Sequence, residues 1–396
     1  MKDLAVIDCC TTCSVCVTAC PVTSASRIYN GPKISGPSAQ RFQNLSHAEI
    51  AALDYCSNCK NCDIACPNGI SVSELNMKAR AEQCFNHGIR IRDLILANSH
   101  EVARLARLVP HSLLRAGMKS PLAGLCFKGI GISGPVPVFA KKSFSDQFSR
   151  IKQKKSQKKV LFFPGCFIND YEPDAGIALV SLLNKAGYEV MVPSYECCGV
   201  PLVTNGLMRQ AEKKASLNMA AFNANIDSCE AMVTACPSCL AMLKKEYRAY
   251  FPDVSQTERY SQKLFDAGQF LAMCLDDGKL VRNGTTEERF LYHAPCHLRV
   301  MGIGTPYVPL LKRSGADVSK CAPGCCGLSG TYGFKKEKHE VSIKVGDPLF
   351  ADIKNRAPDC VLSECGLCRI QIQDNTKAST RHPLLVLDSM LEGNGQ

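Results

Sequence analysis

The sequence has no run of about 20 unbroken apolar residues, the length a membrane-crossing helix needs. Its nearest approach, residues 120–140, is split by Lys128 and carries Gly124, Gly129, Gly131 and Gly134 with Pro135 and Pro137. A spanning helix is excluded there. The chain opens Met-Lys-Asp-Leu-Ala-Val-Ile-Asp, with neither the basic start nor the apolar core of a secretory leader, so the expectation is a protein without a signal peptide. No glycine-rich dinucleotide fingerprint opens a helix directly after a strand, and no flavin site stands out. Any carbon substrate must then be handled by another chain. Tryptophan is absent, which excludes nothing.

Cysteine is the residue in excess, at 25 of 396 positions. In a short secreted chain that number would read as a disulfide framework. In a chain of this length without a leader it reads as thiolates reserved for metal in a reducing cytoplasm. Two stretches have the clearest spacing. Cys10, Cys13, Cys16 and Cys20, followed by Pro21, read C-x2-C-x2-C-x3-C-P, and Cys56, Cys59, Cys62 and Cys66, followed by Pro67, repeat it. In this pattern three close thiolates hold one 4Fe–4S cube and the fourth reaches the other cube. The expected sets are Cys10, Cys13 and Cys16 with Cys66, and Cys56, Cys59 and Cys62 with Cys20. Each proline fixes φ and turns the chain away. The competing metal is zinc, which favours two separated pairs and often histidine; neither run contains histidine. Cys9 does not give the two-residue gap and is expected to stand outside the set. Cys84 lies alone on a helix expected after Ser71 or Ser73 and reads as a small buried hydrophobe.

Charge is concentrated. The net charge is +11, yet residues 87–160 hold fifteen Lys/Arg against three Asp/Glu, +12 by themselves, leaving about −1 for the rest. In the same region Ile91, Leu94, Ile95, Val102, Leu105, Leu108 and Val109 recur at roughly helical spacing, with Arg90, Arg92, Arg104 and Arg107 between them. Two readings stand side by side. One is a connector that packs on its neighbours and turns its arginines to water. The other is a basic amphipathic surface for anionic lipid. Lys152, Lys154, Lys155, Lys158 and Lys159 read as a solvated linker. A nucleic-acid partner is not expected.

From Lys159 the pattern is α/β, and it occurs twice. Expected strands at 160–163, 188–192 and 231–234 lead to Cys166, to the pair Cys197 and Cys198, and to Cys236 and Cys239. Strands at 290–292 and 360–362 lead to Cys296 and to Cys365 and Cys368, with Cys325 and Cys326 between them. The intervals are 31 and 38 residues in one half and 29 and 39 in the other, which points to duplication. Ligands bind beyond the carboxyl ends of parallel strands, where each half places five thiols. Five suit a cluster larger than one zinc ion, which takes four ligands. Zinc in one or both halves, or a metal-free redox dithiol, are the alternatives. His293 and His297 flank Pro295-Cys296 and read either as tuning groups for a cluster or as strand-end and helix caps. Lys335, Lys336 and Lys338 read as solvated surface, with attraction of an anionic partner as the alternative. Cys126, Cys229, Cys274, Cys321 and Cys360 fit no motif and read as structural.

The fold class is therefore α+β multidomain: a helical two-cluster 4Fe–4S ferredoxin-like domain at 1–90, a basic connector at 91–158, and duplicated α/β cysteine-rich modules at 159–280 and 281–396. This architecture resembles the cysteine-rich (CCG) family of iron–sulfur electron-transfer subunits, found in heterodisulfide reductase, in glycolate and lactate oxidation and in anaerobic glycerol-3-phosphate dehydrogenase. Four stretches are most similar to the last branch: Gly31-Pro-Lys-x-x-Gly-Pro37, Cys197-Cys-Gly-Val-Pro-Leu202, Tyr292-His-x-Pro-Cys-His297, and Cys325-Cys-Gly-x-x-Gly-Thr-Tyr-Gly-Phe-Lys-Lys336. The resemblance implies two 4Fe–4S clusters, with one or two further iron–sulfur clusters in the modules. It implies flavin-containing catalytic subunits as the electron source, menaquinone or a quinone-reactive partner as the sink, and a peripheral place on the cytoplasmic face of the inner membrane. On this reading the chain is not an enzyme by itself. The alternative within the family is that a module cluster itself reduces a disulfide or a quinone.

Overall fold

The computed structural model describes residues 9–42, 52–251 and 254–394. In the N-terminal unit each cysteine loop runs into a short helix: Val15–Thr18 and Pro21–Ala25 after the first, Asn61–Ala65 after the second. The long helix Val72–His87 backs both. The Gly31–Pro37 linker is partly helical. It ends in a π-helical turn, Ile34–Ser38, that continues into Ala39–Phe42. Gly36 explains its own presence, because a Cβ there would meet Asn76 Oδ1 at 3.0 Å and Val72 at 3.3 Å. The sequence also predicts a helix capped by Ser46 and running through Leu53, of which only Ala52 and Leu53 lie within the described residues.

The connector forms five short helices, Ile91–Ala97, Ser99–Ala106, His111–Lys119, Pro121–Gly129 and Phe144–Phe148. Its orientation corrects the first sequence reading. Ala97, His100 and Ala103 face inward, while Ile91, Leu105, Leu108, Leu113 and Leu125 face outward. Two of its arginines are spent internally: Arg92 is buried against Asp93 and Glu337, and Arg107 pairs with the buried Asp170. Gly129-Ile-Gly131-Ile-Ser-Gly134 has the bare spacing of a dinucleotide loop, but it follows a helix and leads into a bridge between Ile132 and Lys335. Among the described residues no helix is long and apolar enough to cross a membrane.

The two modules have the same topology. Strands β1 (Lys159–Phe162), β2 (Glu189–Met191), β3 (Ala231–Thr234) and β4 (Leu264–Asp266) form a parallel sheet in the order β2-β1-β3-β4. After β5 (Leu280–Arg282), strands β6 (Arg289–Tyr292), β7 (Asp317–Lys320), β8 (Cys360–Leu362) and β9 (Thr380–Arg381) repeat it as β7-β6-β8-β9. The central strands β1, β3 and β8 are buried on both faces, which is why they read as unbroken apolar runs.

One apolar core spans both modules. It joins Val160, Phe162 and Leu179 of the first to Phe290, Leu311 and Leu362 of the second. The chain end seals the joint. Helix Pro383–Met390 leads to β10 (Leu391–Gly393), which pairs antiparallel with β5. There Lys185 donates to the Asp388 and Leu391 carbonyls at 2.9 and 3.0 Å.

Candidate metal centres

The two N-terminal cysteine loops share an unusual backbone. Thr12 and Ser14 flank Cys13 with φ of 57° and 67°, and Asn58 and Lys60 flank Cys59 with φ of 53° and 63°. Non-glycine residues rarely adopt positive φ, and such conformations persist where the surroundings over-determine them. Alternation of this kind turns successive N–H groups toward one concavity and makes an anion-binding nest, a feature of iron–sulfur sites. Within the first concavity Cys16 lies among Cys10, Cys13 and Cys66. Cys62 lies among Cys56, Cys59 and Cys20. The fourth thiol of each run thus sits with the other run, and exposed Cys9 does not line the first hollow. Burial and the crowding of neighbouring thiols push Cys16 and Cys62 above the ordinary cysteine range. Four such thiols ionise together only with positive charge between them, as a metal cluster supplies.

In each module the loops after three strands converge. Cys197 Sγ lies 3.6 Å from Cys166 Sγ, and Cys239 Sγ lies 3.4 Å from Cys198 Sγ. In the second module Cys326 Sγ and Cys368 Sγ are 3.1 Å apart, Cys325 bonds Cys296, and Cys365 bonds Cys368. The glycine after each cysteine pair is required. Gly199 and Gly327 have φ of 96° and 84°, and a Cβ on Gly327 would stand 1.9 Å from the Ser342 carbonyl. Sulfur-to-sulfur bonding divides each set. Cys239 holds Cys236 below the usual range, Cys368 does the same for Cys365, and Cys325 with Cys368 brings Cys326 down to about 6. Meanwhile Cys198, Cys239, Cys296 and Cys368 are driven well up. Five soft donors in mutual contact fit a multi-iron centre better than a four-coordinate ion.

These thiol groups are neighbours. Cys59 lies within electrostatic reach of Cys296 and Cys325, and Cys365 within reach of Cys236. A cavity of about 200 Å³ between the modules is lined by Cys166, Cys198, Cys236, Cys296, Cys326 and Cys365. The connector closes it with Leu96, Ile132, Val136 and Pro137.

The two sites differ in their walls. The residue three before the first cysteine is Phe163 in one and His293 in the other. His293 is buried, held neutral by desolvation and by Arg299, and gathers with Cys326 and Cys368. Glu364, beside Cys365, is pushed up to about 8 by burial and bonds Tyr292; the matching residue beside Cys236 is Ala235. His297 is instead spoken for: Nδ1 is 2.8 Å from Ser238 Oγ and Nε2 is 3.2 Å from the Asn58 carbonyl. It ties the second cysteine loop to the first module.

Three sequence expectations need correction here. Lys335 and Lys338 are buried, not solvated. Lys335 pairs with Asp93 at 3.2 Å and Lys338 with Asp54 at 2.7 Å. Cys126, read as structural, is exposed, whereas Cys229, Cys274 and Cys360 are buried as expected. Sequence reading also missed Lys60, buried beside Glu246 at 3.4 Å, and Arg80, whose guanidinium donates to the Leu53 and Cys56 carbonyls at 2.8 Å each. A cation adjoining a cysteine run was the available signal only for Lys60.

Comparison with known proteins agrees with this layout. The Cysteine-rich domain family matches residues 160–244 and 290–373, and the 4Fe-4S dicluster domain family matches residues 6–70. The chain is 31% identical over 392 residues to the C subunit of anaerobic glycerol-3-phosphate dehydrogenase of Escherichia coli K12, covering 96% of this chain and 98% of the relative. It is 29% identical over 229 residues to the B subunit of fumarate reductase (CoM/CoB) of Methanothermobacter marburgensis, covering 55% and 42%. With lactate utilization protein A of Bacillus licheniformis the identity is 28% over 219 residues, covering 52% and 88%.

Proposed function

This chain belongs to the family of the C subunit of anaerobic glycerol-3-phosphate dehydrogenase, and from that membership we propose that it relays electrons from flavin-containing catalytic subunits toward menaquinone. It is an iron–sulfur electron-transfer subunit of an oxidoreductase complex. The single observation that carries the relay is that Cys59 of the second cysteine run lines one cavity with Cys166, Cys198 and Cys236 of the first module and Cys296, Cys326 and Cys365 of the second, which puts that run and both modules in one series.

In this reading Cys10, Cys13, Cys16 and Cys66 hold one 4Fe–4S cluster, and Cys20, Cys56, Cys59 and Cys62 hold the other. Cys166, Cys197, Cys198, Cys236 and Cys239, and likewise Cys296, Cys325, Cys326, Cys365 and Cys368, hold further iron–sulfur centres. Such centres supply one-electron transfer, with potentials set by burial and by hydrogen bonds to sulfur. The chain's own part is to hold the thiolates in contact, to turn N–H groups toward them in the nests, and to keep water from the inter-module cavity with Leu96, Val136 and Pro137. Its outward leucines and exposed Arg104, Arg115 and Lys128 form the surface for an anionic membrane on the cytoplasmic side.

The test combines the chain with its flavin-containing partners under anaerobic conditions. Glycerol 3-phosphate should bleach the visible absorbance of the clusters only when partners and chain are mixed. Reduction of a disulfide substrate by the isolated chain would instead favour module-centred catalysis.

A further inference from the structure

Lys335, which belongs to the Gly-Thr-Tyr-Gly-Phe-Lys-Lys stretch, and Lys338, two residues past its end, are surface-type residues in a buried place, and the relay as described leaves them without a task. Lys338 is 1% exposed. Its Nζ donates to the Asp54 carbonyl at 2.6 Å and to Asp54 Oδ2 at 2.7 Å. It also lies over the rings of Tyr55 and Tyr332, 5.8 and 5.4 Å from their centroids. The charged groups facing it are Asp54, Lys335 and Arg80, with Glu337 also within electrostatic reach. Arg80 stands 4.0 Å from Asp54 Oδ1, and Lys335 is engaged by Asp93, which also serves Arg92. Glu337 turns away to Arg90 and Arg92. Four buried cations, Lys338, Lys335, Arg80 and Arg92, therefore gather against three carboxylates, Asp54, Asp93 and Glu337. Buried positive charge without full compensation is strongly unfavourable. The missing negative charge has an address: Asp54 and Tyr55 lead directly into Cys56, and Arg80 grips the Cys56 carbonyl.

We propose that Lys338 is a positioning residue for electron transfer, the internal counter-ion of the centre held by Cys20, Cys56, Cys59 and Cys62, and that its ammonium raises the reduction potential of that centre. The inference rests on the ligand assignment proposed above. A thiolate-bound cluster becomes more negative by one charge on reduction, so a cation fixed beside it in a poorly solvated interior favours the reduced form.

The charge on Lys338 is also conditional. Burial brings its ammonium down to about 7, with Lys335 and Arg80 adding to the effect and Asp54 opposing it. When the centre gains an electron from the dehydrogenase, the Lys338 amine takes one proton from solvent, and it releases that proton on reoxidation. Protons and electrons balance one to one. The reduced form thus holds the proton more tightly, and the potential falls as pH rises through the window that opens near neutrality.

The experiment is an EPR-monitored redox titration of the full, anaerobically purified chain from about pH 6 to about pH 9. Wild type, Lys338→Arg and Lys338→Met are compared. In wild type one of the two cubane signals should change its reduction equilibrium by up to tenfold per pH unit, which is 59 mV for a one-electron couple. Lys338→Arg, always charged, should keep the high potential and lose the slope. Lys338→Met should have a lower, flat potential, and the other cubane signal should not move. If Lys338→Met fails to assemble its centres, the slope of wild type against the flat line of Lys338→Arg still decides. Equal slopes in those two proteins overturn the proposal with the ligand assignment intact. Absence of the cubane signals from wild type overturns the assignment itself, and the proposal with it.

Discussion

Replacing Leu108 and Leu113 by glutamine should detach the protein from anionic membranes. Both leucines are displayed outward, 82% and 65% exposed, on or just before the helix His111–Lys119. Fully burying a leucine is worth about 1.5–3 kcal/mol, so at these exposures each contributes roughly 1–2 kcal/mol on entering a headgroup layer. The pair together gives about 2–4 kcal/mol, or about 30- to 1,000-fold in affinity at 1.4 kcal/mol per decade. Neutralising Arg104 and Arg115 should cost only about 1 kcal/mol each, and that loss should vanish at high salt. Folding should be spared, because exposed substitutions typically stay within about 0.5 kcal/mol. Co-sedimentation with vesicles containing phosphatidylglycerol measures the affinity. If the double leucine variant binds as wild type does, the outward apolar face is not the membrane surface.

Two further outcomes follow from the interior. Cys20→Ser should remove the cluster signal that belongs mainly to Cys56, Cys59 and Cys62 while sparing the one that belongs to Cys10, Cys13 and Cys16; EPR of the reduced variant checks this, and loss of only the near cluster would refute crossed ligation. Asp266 caps helix Ala267–Asp276 through Oδ1, which accepts from the Gly268 and Gln269 amides at 2.8 and 3.4 Å, while Oδ2 has no partner among the described residues. Burial pushes it up to about 7. The folded state then keeps a proton that the unfolded state releases between about pH 4 and 7, so stability falls as pH rises through that window. Asp266→Asn retains the cap acceptor and should flatten the dependence, gaining on the order of a few kcal/mol over wild type above pH 7. Unfolding midpoints at about pH 5 and pH 8 decide, and an unchanged pH slope in the variant would refute it.

Much of the fold was legible because parallel strands buried on both faces leave apolar runs that end at cysteines. The expected strands at 231–234 and 360–362 match β3 and β8 residue for residue. Cysteine spacing was equally informative, since a cluster constrains its loop at short range. What escaped reading is set by tertiary contact. β9 has two residues, and β4, β5 and β10 have three, too few to show a period; β8 is no longer, but the Cys365-x-x-Cys368 motif behind it marks it, and these four have no such motif. The sequence predicts a helix from Lys335 only to about Val345, yet helix Lys336–Arg356 runs on through Pro348. Leu349, Phe350 and Ile353 are buried beyond the proline, and that burial outweighs the lost hydrogen bond. The lysines at 335 and 338 were misread for a related reason: the carboxylates that hold them, Asp93 and Asp54, come from sequence more than 200 positions away. The connector shows the same limit. Its apolar and basic residues were visible, but which face turns inward depends on Asp170 and Glu337, which lie outside it.

The most direct test of the relay is the metal content of the anaerobically purified chain. Iron, acid-labile sulfide and zinc should be measured per protein in wild type and in a variant carrying Cys198→Ser and Cys326→Ser. Iron should stand clearly above about eight per chain, with matching sulfide and little zinc, and the variant should fall back toward about eight. Eight irons or fewer in wild type, with zinc near one per module, would contradict it.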